Sequence, residues 1–388
     1  MKSYIRNVLL LGALALPVCG APKNVASKSG LSGVLVFQRS KKLEAINLMS
    51  GKTSVLRDSF LFDNAFKTWG NDWEISFDGR QVAFAALPRD VDFFSAASYR
   101  AYLWITPFDN DQRVLLAAYG KRATKEAYTF SCPSWSGNGK QMAVEREDRY
   151  AEEPSEVAVY DTTTRQELWN SRTDSAKLFP HDFGNTPASL NIYRDVFSPA
   201  LSSDGNDLVC FSIGLQGGGF RIRVPDKAPP ITVLHFNLKR HSGEILASLD
   251  DKLFLTSDQR RESECVWHPT QKRILFVGPA SETGKSLGLF SLDLNAKTKK
   301  LARLTNGAQD DFSPQWSLDG KQIYWIRGSV NAQKSSNNRI FRANADGSNP
   351  APILPQLRGV TRIQLLPKIA DWSRYRKLSI EPLAGKDK

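Results

Sequence analysis

The sequence predicts an all-β protein, a six-bladed β-propeller built from four-stranded antiparallel blades. A stretch that begins at Asp310 reads as one complete four-stranded sheet, similar stretches recur along the chain, and each chain end holds part of one further sheet. Repeats of roughly 50–65 residues with four strands each are typical of propellers.

The complete sheet lies between Asp310 and Leu354. Its strands are expected to end at Trp316–Ser317 and to cover Lys321–Ile326, Arg339–Ala343 and a stretch near Pro352–Leu354. The pairs Asp319–Gly320 and Asp346–Gly347 suit tight turns, because glycine accepts a positive φ. Such a sheet has two apolar faces, so it needs neighbouring copies to bury them.

Partial copies open the second to fifth blades, at Trp73–Ala86, Cys132–Val144, Asp195–Ser212 and Glu264–Gly278. The fourth and sixth blades match closely, since DVFSPALSSDG at Asp195 repeats as DDFSPQWSLDG at Asp310. The fifth copy is degenerate, with Gln271 where glycine is expected.

The first blade has three strands of its own, Gly33–Gln38, Lys42–Leu48 and Lys52–Leu56. We expect the carboxy-terminal stretch Lys368–Ser373 to supply the missing innermost strand, with Trp372–Ser373 in the place of Trp135–Ser136 of the third blade. Pairing the chain ends would close the ring and remove exposed sheet edges.

The chain start has the pattern of a secretory signal peptide. Lys2 and Arg6 precede the apolar run Val8–Val18, which is too short to span a bilayer. We expect cleavage after Gly20 and a periplasmic or secreted protein; lipidation at Cys19 is the alternative, although Val18 fits a lipobox poorly. The expected organisation is a signal peptide at 1–20, a flexible lead-in at 21–30, the propeller at 31–380 and a disordered tail at 381–388.

The chain has a net charge of +12, and removal of Lys2 and Arg6 leaves +10. This excess favours anionic partners such as envelope polymers, acidic proteins or lipid headgroups, or serves solubility alone. In an exported protein it does not indicate nucleic acid. Cys132, Cys210 and Cys265 remain after cleavage, and we expect buried free thiols in preference to one disulfide and a spare cysteine.

Loops alternate between the two faces of a meandering blade. Turns between the first and second strands are short, as at Asp78–Gly79, whereas connections between the second and third strands are long, as at Leu87–Arg100 and Gly214–Pro230. Propellers carry function on loops held by a rigid scaffold. The long-loop face and the mouth of the central channel are therefore the expected binding surface.

Candidate binding residues at the channel mouth are charged residues just before the innermost strands: Asp72, Arg194, Asp195, Glu262, Asp310 and Asp311. Their carboxylates would bind a cation or a basic peptide, or would instead hydrogen-bond backbone amides and lock neighbouring blades. His181, Arg221 and Arg223 are further candidates in the long loops, where solvated side chains without a ligand are the alternative.

The sequence offers no catalytic constellation. It has no GxSxG motif, and GPASETGKS at Gly278 has five residues between its glycines where a P-loop has four. The histidines His181, His235, His241 and His268 form no HxH or HxxxH pair. We therefore expect no metal and no cofactor.

The pattern PQWSLDGKQIYW followed by IFRANADGSNP resembles the TolB-type, WD40-like repeat of bacterial envelope proteins. The resemblance extends from Gly33 to about Ile380 and implies the propeller fold. Blades of this type occur in periplasmic Tol proteins, in propeller domains of prolyl-peptidase-like hydrolases and in some polysaccharide lyases. TolB carries an α/β domain before its propeller, and that domain is expected to be missing here.

These features together favour a monomeric, non-enzymatic protein that binds an envelope protein or peptide through its long-loop face. The alternatives are a lyase or hydrolase that acts on an anionic envelope or plant polysaccharide, and a carbohydrate-binding module. In the latter cases an anionic polysaccharide would be the partner.

Overall fold

A computed structural model describes residues 32–39, 42–58, 66–67, 73–88, 101–107, 114–119, 128–148, 155–175, 192–216, 231–249, 264–280, 286–295 and 299–368. These residues form six antiparallel sheets, which are the six blades of a propeller. The predicted fold class is confirmed.

Each blade is a meander, and its first to fourth strands are counted from the channel outward. The labels β1 to β25 follow chain order instead. The first blade contains β1 (Val34–Arg39), β2 (Lys42–Asn47) and β3 (Thr53–Asp58); the second, β4 (Phe66–Lys67), β5 (Trp73–Ile75), β6 (Gln81–Pro88), β7 (Ala101–Pro107) and β8 (Val114–Tyr119). The third contains β9 (Tyr128–Trp135), β10 (Gln141–Asp148), β11 (Glu156–Asp161) and β12 (Glu167–Asn170).

The fourth blade contains β13 (Ile192–Leu201), β14 (Asp207–Gln216), β15 (Thr232–Asn237) and β16 (Ser242–Ser248). The fifth contains β17 (Cys265–Trp267), β18 (Arg273–Pro279), β19 (Leu287–Asp293) and β20 (Leu301–Arg303). The sixth contains β21 (Asp310–Trp316), β22 (Gln322–Gly328), β23 (Arg339–Asn344) and β24 (Ala351–Ile353), and β25 (Val360–Leu366) follows.

Helical structure is confined, among the described residues, to a π-helical turn at Ser171–Ser175 and a 3-10 helix at Ala332–Asn337. No helix in these parts of the chain is long and apolar enough to cross a bilayer.

The ring is closed by β25, which pairs antiparallel with β1 and places Leu365 opposite Leu35. The closure predicted from the sequence is confirmed, but its position differs from the expected Lys368–Ser373. The observed strand ends earlier because Val360–Leu366 directs apolar side chains such as Ile363 and Leu366 into the core, where both are buried. Residues 369–388 lie outside the described residues.

The turns between the first and second strands share one construction. A serine hydroxyl donates to an Asp or Asn side chain two residues later and accepts the amide that opens the next strand; for Ser317 these bonds measure 2.7 Å to Asp319 and 2.8 Å from Gln322. Ser76, Ser136 and Ser202 repeat the arrangement. Gly320 completes the turn with a φ of 71°, which glycine alone adopts without strain.

The fifth blade replaces this serine with His268. Its Nδ1 accepts the amides of Thr270 and Gln271 at 3.2 and 3.1 Å, and its Nε2 lies 3.2 Å from the carbonyl oxygen of Gly320 in the sixth blade. These contacts require a neutral ring with the proton on Nε2. The degenerate turn predicted around Gln271 is thus held by histidine.

The core lies between adjacent blades. Val157 and Trp169 of the third blade pack in one cluster with Leu208 and Phe236 of the fourth, and the rings of Trp169 and Phe236 lie 4.8 Å apart. Each blade therefore buries both faces against its neighbours, as the repeat predicted.

Two faces follow from the antiparallel order. The "short-turn face" carries the first-to-second strand turns at 76–80, 136–140, 202–206, 268–272 and 317–321, and the third-to-fourth strand turns at 48–52, 162–166, 238–241 and 345–350. The "long-loop face" is the opposite face, where the second strands end and the third strands begin. Of the connections there, 329–338 is described, whereas 89–100, 149–154, 217–230 and 281–285 lie outside the described residues.

Candidate functional site at the central channel

The innermost strands of all six blades enclose a small cavity of about 40 Å³ on the ring axis. Its lining residues are Glu74, Cys132, Pro133, Ser134, Ser198, Pro199, Glu264, Cys265, Val266, Gln315, Arg362, Ile363 and Gln364. A volume of this size accommodates a few water molecules, since one water needs about 10–15 Å³ on the same measure.

A belt of side-chain hydrogen bonds joins neighbouring blades around this cavity. At one equivalent position of the innermost strand, a side-chain oxygen accepts a backbone amide of the next blade. The bonds run from Trp135 to Glu74 (2.8 Å), from Leu201 to Ser134 (3.1 Å), from Leu365 to Gln315 (3.3 Å) and from Ile75 to Gln364 (2.9 Å).

The fourth and fifth blades have Ala200 and Val266 at this position, which offer no side-chain acceptor. There a tryptophan of the next blade donates its indole N–H to the backbone carbonyl, from Trp267 to Ala200 at 2.9 Å and from Trp316 to Val266 at 3.4 Å. Tryptophan stands at this position in three blades, as Trp135, Trp267 and Trp316, and each indole N–H donates to a backbone carbonyl of the preceding blade.

Three ionisable side chains, Glu74, Glu264 and Arg362, meet at the cavity. Arg362 places Nη1 2.9 Å from Glu264 Oε1, in an ion pair that lacks hydrogen-bond alignment, and its guanidinium lies 5.3 Å from the centre of the Trp73 ring. Burial raises the pKa of Glu74 to about 8, against the hydrogen bond from Trp135 and the charge of Arg362, which lower it. Glu74 thus holds its proton at neutral pH.

Cys132, Cys210 and Cys265 are free thiols, as expected from the sequence. Cys210 and Cys265 are buried, whereas Cys132 is half-buried and lines the cavity with Cys265. Burial raises the pKa of both Cys210 and Cys265, so neither is a thiolate near neutral pH.

Two of the predicted site residues can be placed in full. Asp310 accepts the amide of Leu287 in the fifth blade at 3.1 Å and that of Val330 at 3.4 Å, and burial raises its pKa. Asp311 is fully buried and bonds Trp325 at 2.8 Å and Arg327 at 2.7 and 3.0 Å within its own blade. Both carboxylates contact groups of the blades themselves.

The other predicted site residues are not brought together by the described structure. Arg194 and Asp195 belong to β13, but only their backbone is described. Asp72, Glu262, His181, Arg221 and Arg223 lie outside the described residues. Their roles stay predictions.

Glu74, Glu264 and Arg362 were not predicted from the sequence. Aligning the repeats on the position two residues before the turn serine would have found Glu74, because Glu74-Ile75-Ser76 matches Gln315-Trp316-Ser317. Arg362 was hidden by the misplaced closing strand, and Glu264 by the degenerate fifth repeat.

The belt can hold blades together, and the cavity can hold water and one exchangeable proton on Glu74. Within the described parts of the chain, no group of three or more His, Cys, Asp or Glu side chains is placed to hold a metal ion. The arrangement is a ring of polar contacts around a cavity the size of a few water molecules.

No protein-family model matches the sequence, and no curated protein matches it. Among solved structures, TolB from Acinetobacter baumannii is similar at a TM-score of 0.51 and 14% identity, over 86% of this chain and 67% of that one. A putative TolB from Agrobacterium tumefaciens gives 0.46 at 14% identity (83% and 89% covered), and an oligogalacturonate lyase from Vibrio parahaemolyticus 0.44 at 12% (83% and 73%). At such identity the likeness to TolB shows a shared fold alone: this chain is a six-bladed β-propeller of the kind that TolB also contains.

Proposed function

We propose that this protein is a periplasmic or secreted, non-enzymatic binding protein that engages a protein or peptide of the cell envelope through its long-loop face. The contrast between the two faces carries the proposal. The short-turn face has four turns built alike on a serine, such as 317–321, and a fifth held by His268, whereas the strands at the long-loop face are joined by longer stretches of sequence, 89–100, 217–230 and 329–338. Segments of unequal length on a rigid scaffold are typical of recognition surfaces.

The charges at the central cavity support binding of a partner to the long-loop face in preference to the cavity itself. Glu74 is neutral near pH 7, and Glu264 is paired with Arg362. The belt also engages the amides of Trp135 and Ile75, which a peptide would otherwise bind. A partner therefore gains most by contacting the surrounding loops.

Site-specific photo-crosslinking in the producing cell tests the proposal. Photoreactive residues at Lys334 and Arg358 on the long-loop face should yield a discrete polypeptide adduct, whereas Lys140 and Lys239 on the short-turn face should not. The captured partner, once purified, should bind Lys334→Glu/Arg358→Glu at least about fivefold more weakly, which is about 1 kcal/mol, and should bind Lys140→Glu/Lys239→Glu normally.

Polypeptide adducts from neither face, or equally from both, would contradict the proposal. Release of unsaturated or reducing sugars from an anionic polysaccharide by the purified protein would favour the enzymatic alternative. Export is tested separately by the amino terminus of the mature protein, for which we expect Ala21.

A further inference from the structure

The short-turn face carries exposed cations at equivalent places in several blades. The residue after the turn glycine, or after Gln271 in its place, is Arg80, Lys140, Lys272 or Lys321 in four of the blades. Arg80 and Lys321 have side chains 72% and 82% exposed, and each lies about 4 Å from the aspartate of its own turn. At this exposure such pairs are weak, so the cations stay available to a partner.

Two adjacent blades carry further cations on this face. The third blade has Asn138 where three other turns have Asp78, Asp204 and Asp319, and Lys140 follows two residues later, near Asp161 of the same blade. The fourth blade has Lys239 and Arg240 in its third-to-fourth strand turn, where the side chain of Asn237 accepts the amide of Arg240 at 2.8 Å. The two turns are linked through the fourth blade's first turn: the amide of Asn138 donates to the carbonyl oxygen of Ser203 at 3.1 Å, and the amide of Leu238 donates to that of Asn206 at 2.7 Å. Lys140, Lys239 and Arg240 here outnumber the carboxylates of Asp161 and Asp204, so the charge of this region is positive.

The same face exposes two large apolar side chains. Met49, in the third-to-fourth strand turn of the first blade, is 67% exposed, and Phe77, in the first turn of the second blade, is 50% exposed. They are the two most exposed large apolar side chains among the described residues. Exposed apolar groups beside cations are typical of surfaces that meet the interface of a bilayer.

The amino-terminal part of the chain joins the ring on this face. β1 begins at Val34 there, beside the end of β25, and the carbonyl oxygen of Gly33 accepts the amide of Leu48 at 3.0 Å. The chain therefore enters the ring beside the turn that carries Met49.

We infer that the short-turn face docks on a membrane surface rich in anionic lipid, with Lys140, Lys239 and Arg240 at the headgroups and Phe77 and Met49 in the interface. A hydrated polyanion would satisfy the cations but gains nothing from the two apolar side chains, so a bilayer fits the whole face better. This orientation leaves the long-loop face directed away from the membrane. The inference does not rest on the proposed function.

The test is co-sedimentation of the full chain with vesicles of phosphatidylglycerol and phosphatidylcholine, against phosphatidylcholine alone. Binding should require the anionic lipid and should weaken as salt rises, because exposed charges are screened. Lys140→Gln/Lys239→Gln/Arg240→Gln should lower the affinity at least about tenfold, since each cation near such a surface contributes about fivefold.

A charge-matched control separates the face from the net charge. Lys334→Gln/Arg339→Gln/Arg358→Gln removes three exposed cations from the long-loop side and should change the affinity less than about twofold. Phe77→Ser/Met49→Ser should weaken binding severalfold at high salt, whereas Leu168→Ser/Ile245→Ser, exposed apolar residues on the outer strands, should not. Thermal unfolding of each variant confirms that it is folded.

Any of three outcomes would overturn the inference. The first is that the wild-type chain does not bind anionic vesicles, and the second is that the two triple variants weaken binding equally. The third is that the chain binds a soluble polyanion such as heparin but not vesicles. The last outcome would assign the cations of this face to an anionic polymer.

Discussion

Glu74 is the residue of the inter-blade belt whose charge depends on pH, because Ser134, Gln315 and Gln364 are neutral throughout the usual range. Burial raises its pKa from 4.5 to about 8, with a smaller contribution from Glu264. Between those values the unfolded chain has lost this proton while the folded protein keeps it. This carboxyl therefore lowers the free energy of unfolding as pH rises from about 4.5 to 8, with no further loss above that range.

Glu74→Gln should remove this pH dependence. Glutamine keeps an oxygen that accepts the amide of Trp135 but has no proton to lose. Relative to the wild type, the variant should gain stability as pH rises from 5 to 8, by about 3–4 kcal/mol for a shift of this size. Urea unfolding at pH 5, 6.5, 8 and 9 measures the difference.

Glu244→Gln provides a control of opposite sign. The hydrogen bond from Lys299 to Glu244 is the main cause that lowers the pKa of this carboxyl. The ionised carboxylate therefore adds to the free energy of unfolding above about pH 4.5, and this stabilisation is lost as pH falls below that value. Its pH profile should differ from the wild type at the acid end. Equal slopes for Glu74→Gln and the wild type between pH 5 and 8 would show that Glu74 is ionised in the folded protein.

Gly320 and Gly139 occupy the same turn position in two blades but differ in their surroundings. Their φ values are 71° and 70°, so alanine is strained at both by about 1–2 kcal/mol. A Cβ on Gly320 would also lie 2.1 Å from His268 Nε2, whereas one on Gly139 meets nothing within 4 Å. Gly320→Ala should therefore cost at least about 2 kcal/mol more than Gly139→Ala in urea unfolding.

A second substitution separates the contact from the backbone strain. In a His268→Ser background, Gly320→Ala should cost no more than Gly139→Ala does in the wild type, because the imidazole is gone. A full penalty in that background would place the cost in the turn itself. The comparison is a double-mutant cycle for residues that touch across two blades.

At the scale of strands and turns, the sequence predicted the elements that local chemistry determines. The Asp-Gly turns near Asp78, Asp204 and Asp319 were found because a serine, a carboxylate and a positive-φ glycine act within five residues. The closing strand was predicted too far along the chain because Trp372–Ser373 matched the repeat by composition. The structure uses Val360–Leu366 instead, whose partner β1 is distant in sequence.

The channel residues escaped prediction for a different physical reason. In the third, fourth and sixth blades the innermost strand is irregular, with positive φ of 49–51° at Cys132, Ser198 and Ser313, each followed by proline. The register shifts at these points change which side chains face the channel. A simple alternation of inward and outward residues therefore fails where the candidate site lies.

Gln364 links the closing strand to the second blade and should be costly to remove. Its amide accepts the N–H of Ile75 at 2.9 Å and donates to the carbonyl oxygen of Ile75 at 2.7 Å. Gln364→Ala leaves both buried backbone groups without these partners, which should cost about 2–4 kcal/mol in urea unfolding. Gln322→Ala, at a half-buried glutamine whose amide oxygen accepts Tyr324 Oη at 3.3 Å, should cost less than about 1 kcal/mol. Equal costs would show that water replaces the bonds at Ile75.

At the scale of the whole ring, both chain ends belong to one sheet, and the neighbouring blades hold that sheet from either side. Ser313 of the sixth blade accepts the amide of Ile363 at 3.0 Å, and Asn338 donates to the carbonyl oxygen of Val360 at 3.1 Å. Gln364 makes the corresponding link to the second blade. The ring therefore cannot open at this point without removing β25 from all three blades at once.

A chain that ends at Arg358 should accordingly lose stability as a unit, because the inner edge of β1 and the partners of β25 become exposed together. We expect it to unfold at a temperature at least about 5 °C below the wild type, since several kcal/mol are lost. A synthetic peptide of residues 359–368, added in excess or co-expressed, should restore much of this difference by pairing with β1. The same peptide with Ile363→Asp and Leu365→Asp should fail, because both side chains are buried in the ring. Unchanged unfolding of the shortened chain, or equal rescue by the two peptides, would show that closure by Val360–Leu366 does not hold the ring together.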